Sequence, residues 1–439
     1  MPADRPRLLY ANRQQGEIRT DSLDQLLPPD HPVRDVWQFV DSLNLSALLA
    51  AVRSVPGHPG APAIDPRLLL ALWLQGTLDG VGSSRALEAL CQEHLAYQWL
   101  CGGVAVGYHT LSDFRTEHGE VLNDLLTQSV AALLHEGLVD LKRVAQDGMR
   151  VRASAGASSF RRSKTIGACL AEAEAQVKAL QAQADEDAGA AGRRQQAARQ
   201  RAAAERVQRL QAAQAALAEL REVNSTQPKC RQKDPTEVRA STTDPESRKM
   251  KMADGGFRPA YNVQFATTTE GGVVVGVSVT NEGTDGAQMP PMLQQIEERF
   301  GRRPEEALVD GGFATVESID AAERGGTTVY APPKEEKKQL EAGQDPYARK
   351  RSDTDATAAW RARMGTESAK AIYKQRASTA EWVNAQARNR DFYAVRVRGV
   401  QKVLIVALWY ALAHNLRQGK ALRKSARAGE RCPPVEPLG

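Results

Sequence analysis

Three acidic residues stand where side chains could do chemistry. Asp147 lies inside the alternating run LKRVAQDGMRVRAS, which reads as a strand. Asp310 ends the short apolar run Ala307-Leu308-Val309, and Glu381 falls within YKQRASTAEWVNAQARNR, which reads as a helix. Open α/β sheets place functional groups at strand ends. Two strand-end carboxylates and one from a helix could share a pair of hard divalent cations, Mg²⁺ or Mn²⁺, which take oxygen ligands. Two such ions about 4 Å apart can activate a water or a 3′-hydroxyl and stabilise the leaving oxygen in phosphoryl transfer. Residue types alone do not single out this triple. The chain has 53 Asp and Glu, and an Asp followed by Gly is also a turn former. Asp254, in KMADGGFRPAYN, repeats the D-G-G pattern of Asp310, and Asp285 follows a strand; both fit turns. Lys249, Lys251 and Arg258 beside Asp254 could touch a polyanion or line a solvated loop.

The elements that must position these acids can be read in order. Residues 1–140 read as an all-α domain. Asp65-Pro66 is a helix start, with a capping Asp and a Pro in the first turn, opening RLLLALWLQG. Leu87, Leu90, Leu95 and Trp99 suggest another amphipathic helix. Ser112 or Asp113 can cap a further one, which Gly137 can end. After the strand of Asp147, residues 168–223 are rich in Ala, Gln, Glu and Arg. Their apolar residues recur at helical offsets, and the glycines at 189 and 192 would divide two antiparallel arms. The hairpin fits a solvated coiled-coil insertion, or a basic arm using Arg193, Arg194, Arg199, Arg201, Arg206 and Arg209.

Strand signals return at 260–267 and 272–280, with Glu270-Gly271-Gly272 as the turn. A helix (288–300), the strand ending at Asp310, a helix (316–324) and a strand (327–331) follow. Residues 332–364 read as a polar loop. A helix over 369–389 and an apolar helix over 403–416 close the pattern. This order predicts an α/β fold, a mixed sheet flanked by helices.

Composition narrows the class. Hydrophobic residues at 42% and charged residues at 25% suit a globular chain with a real core. The longest apolar runs, Leu68–Leu74 and Val403–Ala413, are far short of the roughly 18 residues a membrane span needs. The N-terminal stretch lacks the apolar core of a signal peptide, so the expectation is a cytoplasmic protein. Net charge is +5, yet residues 360–439 carry 16 Lys/Arg against 5 Asp/Glu. That basic end suits a polyanion partner or a solubilising tail. Cys91, Cys101, Cys169, Cys230 and Cys432 show no C-x₂-C spacing, and the seven histidines form no HExxH pair, which disfavours a disulfide framework and a zinc site.

The order and wording of these segments resemble the DDE transposases of bacterial insertion sequences, in the IS5/IS1182-like group. The resemblance runs from about Leu23 to Leu416. DPRLLLALWLQGTLDGVGSSRALEALCQEHLAYQWLCGG and TLSDFR are similar to the family's helical N-terminal domain. VAQDGMRVRASA and ALVDGGFAT resemble the segments of the two catalytic aspartates, here Asp147 and Asp310, and IYKQRASTAEWVNAQARNR the signature around the catalytic glutamate, here Glu381. That signature is usually Y-x₂-R-x₃-E-x₆-K. Tyr373 and Arg376 keep the first offset. Four residues rather than three separate Arg376 from Glu381, and Arg388 stands where Lys is usual.

The resemblance implies an RNase H-like catalytic domain over 141–416, interrupted by the helical-hairpin insertion, behind a helical N-terminal domain for DNA binding or oligomerisation. It implies two Mg²⁺ or Mn²⁺ ions on Asp147, Asp310 and Glu381, with DNA contacts from Tyr373, Arg376 and Arg388. The partners would be transposon-end and target DNA, and a homodimer or larger assembly would form on them, in the bacterial cytoplasm at the nucleoid. Residues 417–439 are expected to be a basic, disordered tail. Two other functions remain open from the sequence: a DNA-binding protein without catalysis, such as a repressor, and a metal-dependent nuclease that does not join strands.

Overall fold

A computed structural model describes residues 20–54, 61–182 and 190–429, the side chains of 190–194 excepted. Eight helices come first: α1 (Leu23–Leu26), α2 (Pro32–Ser42), α3 (Ser46–Ala50), α4 (Pro66–Leu78), α5 (Ser84–Glu93), α6 (Leu95–Cys101), α7 (Tyr108–Glu117) and α8 (Gly119–His135). Asp65 caps α4 by accepting from the Arg67 N–H, and Gly137 lies just past α8 with φ +66°. Two expected helices are each split in two. His94 ends α5 and caps α6, its Nδ1 accepting from the Ala96 N–H. The second break, at His118, leaves Ser112 and Asp113 inside α7 rather than capping it. Gly119 opens α8 there because a β-carbon would stand 2.9 Å from Ile405.

The strand β1 (Arg143–Arg152) is followed by β2 (Phe160–Arg161), α9 (Ser163–Ala182), α10 (Ala190–Thr226) and β3 (Ala240–Ser241). β2 and β3 pair antiparallel. Arg206 of α10 reaches back to Gln176 and Glu172 of α9. Ile166, Ala213, Leu217 and Val238 give these helices a small core of their own. The helix α10 runs through Gly192, which the sequence suggested as part of the break; residues 183–189, with Gly189, lie outside the described residues.

Next come β4 (Arg248–Lys251), β5 (Phe257–Thr268), β6 (Val274–Thr280), α11 (Met289–Phe300), β7 (Glu306–Leu308), α12 (Val316–Arg324) and β8 (Thr328–Tyr330). β4, β5, β1, β7 and β8 lie side by side, and β6 shares with β4 the edge of β5 that faces away from β1. The β6–β5–β1 joins are antiparallel, and the β1–β7–β8 joins are parallel.

Residues 332–364, expected as a polar loop, hold two helices, α13 (Glu336–Glu341) and α14 (Asp355–Met364). Thr357, Trp360 and Met364 recur at helical spacing and bury one side of α14, capped by Thr354. The helix expected over 369–389 is α15 (Glu367–Tyr373), a π turn at Ala377–Glu381 and α16 (Trp382–Asn389).

The last helix, α17 (Val400–Arg427), is longer than its apolar run. It extends through residues expected to form a disordered tail, because Lys420 pairs with Asp35 and Arg423 with Glu136; residues 430–439 lie outside the described residues. Buried along α17, Trp409 meets Trp73 and Phe114, so sheet and N-terminal helices share one continuous core. On the outer edge of β6, Asn415 accepts from the Val274 N–H at 2.8 Å and donates to its carbonyl at 2.7 Å, and Gln295 does the same for Val277. Among the described residues, no helix is long and apolar enough to cross a membrane.

Candidate active site

Register brings the two aspartates together. On the parallel strands β1 and β7, Arg143 pairs with Glu306, Val144 with Ala307 and Ala145 with Leu308. Each pair is 163 residues apart, the spacing that also separates Asp147 from Asp310. Asp147 and Asp310 therefore lie two residues beyond the same rung, on one face of the sheet. At Asp310 the strand gives way to a tight turn. Its Oδ1 accepts from the Gly312 N–H at 2.6 Å, and a β-carbon at Gly311 would crowd the Pro332 carbonyl at 3.0 Å. The D-G-G motif is thus both a turn and the mount of an acidic side chain.

The third carboxylate arrives on the π turn. Arg376, 8% exposed, donates through Nη2 to Asp147 Oδ1 at 3.0 Å and through Nη1 to Glu381 Oε1 at 2.7 Å. Its Nε is buried and has no partner among the described residues. Asn384, three residues past Glu381, donates to Asp147 Oδ2 at 2.9 Å. Burial pushes the Asp147 carboxyl up; Arg376 opposes the shift, and the neighbouring Asp310 charge adds to it. For Arg376, burial works against the charge, but the surrounding Asp147, Tyr373, Asp310 and Glu381 outweigh it and hold the guanidinium above its ordinary value. Burial also raises the Tyr373 phenol, which sits within reach of the charges of Arg376, Asp310 and Glu381.

Asp147, Asp310, Tyr373, Arg376 and Glu381 are thus brought together. Arg388 is not: it is exposed on the last turn of α16, seven residues past Glu381 and on the same helical stripe, with no ion pair among the described residues. Among the described residues, no three His, Cys, Asp or Glu side chains lie close enough to hold a metal ion as they stand. The Arg376 guanidinium separates Asp147 from Glu381.

Sequence reasoning missed Asn384; its signal is the i, i+3 spacing from Glu381, one turn along the same face. Asp285 does open a turn, its carbonyl accepting from the Gln288 N–H at 3.0 Å. Its carboxylate also accepts from Asn262 and Gln264 at 2.7 Å each and pairs with Arg150 at 3.0 Å, a role the sequence did not show. This network lies against the face of β1 opposite Asp147, and it passes over Gly148, where a β-carbon would meet Gln264 at 2.5 Å and Asp285 at 2.6 Å. Asp254 does serve a turn, accepting from the Gly256 N–H and pairing with Arg258. Lys249 lies over the Phe160 ring.

Residues 21–117 match the family described as Transposase domain (DUF772), and residues 230–416 match Transposase DDE domain. No curated protein and no solved structure matched the chain.

Proposed function

The chain belongs to the DDE transposases of insertion sequences, and from that premise we propose that it cuts insertion-sequence ends and joins them to target DNA. The observation that carries this reading is the buried Arg376, paired with Asp147 from the middle of β1 and with Glu381 from the π turn, with Asp310, just past the end of β7, near enough for its charge to act on both Asp147 and Arg376. The sheet order, antiparallel on one side of β1 and parallel on the other, supports an RNase H-like catalytic domain over 141–416. In this reading α9 and α10 are an insertion within it, and residues 1–140 form a helical domain for DNA binding or oligomerisation.

The donor set fits a hard divalent cation. All three groups offer oxygen, and Asp147 is a buried carboxyl beside a second acid, a pairing that favours added positive charge. When bound, Mg²⁺ or Mn²⁺ supplies charge that activates the attacking oxygen and stabilises the leaving one. Asp147 and Asp310 would hold that charge at the sheet, and Glu381 would complete the set from the helix. Asn384 fixes the rotamer of Asp147 by occupying its second oxygen. Arg376 occupies the space between Asp147 and Glu381 until a DNA phosphate offers its guanidinium another partner. Tyr373 and the exposed Arg388 contact the backbone of the same strand. Two ends must be cut in concert, so a homodimer or larger assembly forms on DNA.

The test is a strand-transfer assay with labelled DNA from the borders of the encoding element. The expected result is cutting and joining with Mg²⁺ or Mn²⁺, both abolished by Asp147→Asn while end binding persists. Cleavage retained by Asp147→Asn rejects the assignment. Cutting without joining would make the protein a nuclease, and end binding with neither would make it a silent DNA-binding protein.

A further inference from the structure

Away from the acidic centre, a cavity of about 310 Å³ opens between the N-terminal helices and the segment that leads into α17. Three arginines line it from three parts of the chain: Arg85 on the first turn of α5, Arg115 near the end of α7, and Arg396. The lining carries no carboxylate, and none of the three arginines makes an ion pair among the described residues. Arg115 lies over the Trp73 ring at 4.6 Å and donates to the Gly82 carbonyl at 2.6 Å. Its Nε is buried without a partner among the described residues. Burial pushes the Arg115 guanidinium down to about 10, and Arg396 adds to the shift, yet the group stays charged at neutral pH. Two acids stand just behind the wall. Glu88 accepts from the Tyr108 N–H at 3.1 Å, and Asp391, beside Gly82, offsets part of the Arg115 charge.

The polar wall is also built to donate. Ser83 caps α5 by accepting from the Ala86 N–H, which leaves the N–H groups of Ser84 and Arg85 without helical partners at the positive end of the helix dipole. Three guanidiniums gathered at a helix N-terminus repel one another and attract an anion. The aromatic faces are already engaged: Arg115 covers Trp73, and Arg85 (4.9 Å) and His109 (4.0 Å) lie against Tyr108. The cavity therefore offers charge and donors but no free ring on which a base could stack.

We propose that this cavity takes a phosphate of the DNA backbone, gripped jointly by the helical N-terminal region and Arg396. The assignment rests on the reading of DNA as substrate. Arg85 and Arg396 are exposed at the rim, so a phosphodiester enters without burying its flanking sugars. Arg115 forms the floor and supplies the donor that now lacks a partner.

The test uses the full-length protein and a short labelled duplex, with binding followed by fluorescence anisotropy across a salt series. Each phosphate contact contributes roughly 0.9 to the slope of log affinity against log salt. Arg85→Ala/Arg396→Ala is expected to flatten the slope by about 1 and to weaken binding on the order of fivefold to tenfold at physiological salt. A control, Arg302→Ala/Arg349→Ala, removes the same charge from exposed positions outside the cavity and should keep the wild-type slope. Both pairs are solvent-facing, so folding persists, as circular dichroism will check. An unchanged slope in the cavity variant overturns the proposal, and so does an equal loss in both variants. Inorganic phosphate that stabilises the wild type but not the cavity variant, with the DNA slope unmoved, also overturns it and assigns the cavity to a free anion. Wild-type protein that fails to bind DNA at all would instead refute the preceding functional reading.

Discussion

Arg376 and Glu381 stand five residues apart and still meet, Nη1 to Oε1 at 2.7 Å, because the turn between them is π rather than α. In a regular helix, side chains three or four apart share a face, and a fifth residue swings away. A π turn hydrogen-bonds from i to i+5 and absorbs one extra residue. The four residues between Arg376 and Glu381, where the resembling signature has three, are thereby accommodated without turning the glutamate from the site.

Arg376→Gln should lower stability in chelator by about 2 kcal/mol, since it leaves the mostly buried Asp147 without a counter-charge while the half-exposed Glu381 loses little. Added Mn²⁺ should recover most of that loss by taking the place of the guanidinium. Thermal melts with and without Mn²⁺ check this. A variant whose melting temperature ignores Mn²⁺ would show that these carboxylates do not share a cation.

Deleting Ser378 should convert the π turn to α and keep Arg376 facing Glu381, now at i, i+4. The shortened protein is expected to melt within a few degrees of wild type, a shift of about 1 kcal/mol or less, and to retain DNA cleavage. Inserting an alanine at the same place should abolish cleavage. Equal loss in both variants would remove the bulge as the explanation of the spacing.

Gly148→Ala places a β-carbon against Gln264, Asn262 and Asp285 at 2.5–2.9 Å. The network must shift, at a cost of about 1–3 kcal/mol. Urea denaturation measures it. Because Asp147 is the adjacent residue, cleavage should fall further than stability alone accounts for.

His414 is buried, bonded through Nε2 to the Gly272 carbonyl and set edge-on to Trp382. Burial holds its imidazole down to about 4, against an ordinary value of 6.5. The unfolded chain then binds the proton first, so stability is full above pH 6.5 and falls as pH drops from 6.5 toward 4. A shift of that size corresponds to about 3 kcal/mol at most. His414→Gln should flatten the decline in this window, as denaturation at a series of pH values will show.

How much of this was legible beforehand depends on the range of the interaction. The strands β1, β5, β6, β7 and β8, the start of α4, the turn at Gly271-Gly272 and the helix 316–324 follow from local pattern and capping, which neighbouring residues decide; the short β2, β3 and β4 do not, and the three acids were singled out among 53 only by the family resemblance. The breaks at His94 and His118, the helices within 332–364 and the length of α17 depend on partners far along the chain, such as Ile405 against Gly119 and Asp35 against Lys420. The constant offset of 163 between β1 and β7 is written in the numbering, but it acquires meaning only once those strands pair. Sequence by itself determined which carboxylates and arginines the protein carries and which elements hold them. Only the tertiary structure decided that Asp147 and Asp310 lie equally far past a shared rung, that a π turn brings Glu381 to Arg376, and that Arg85, Arg115 and Arg396 enclose one cavity, because register and packing couple residues that no local rule connects.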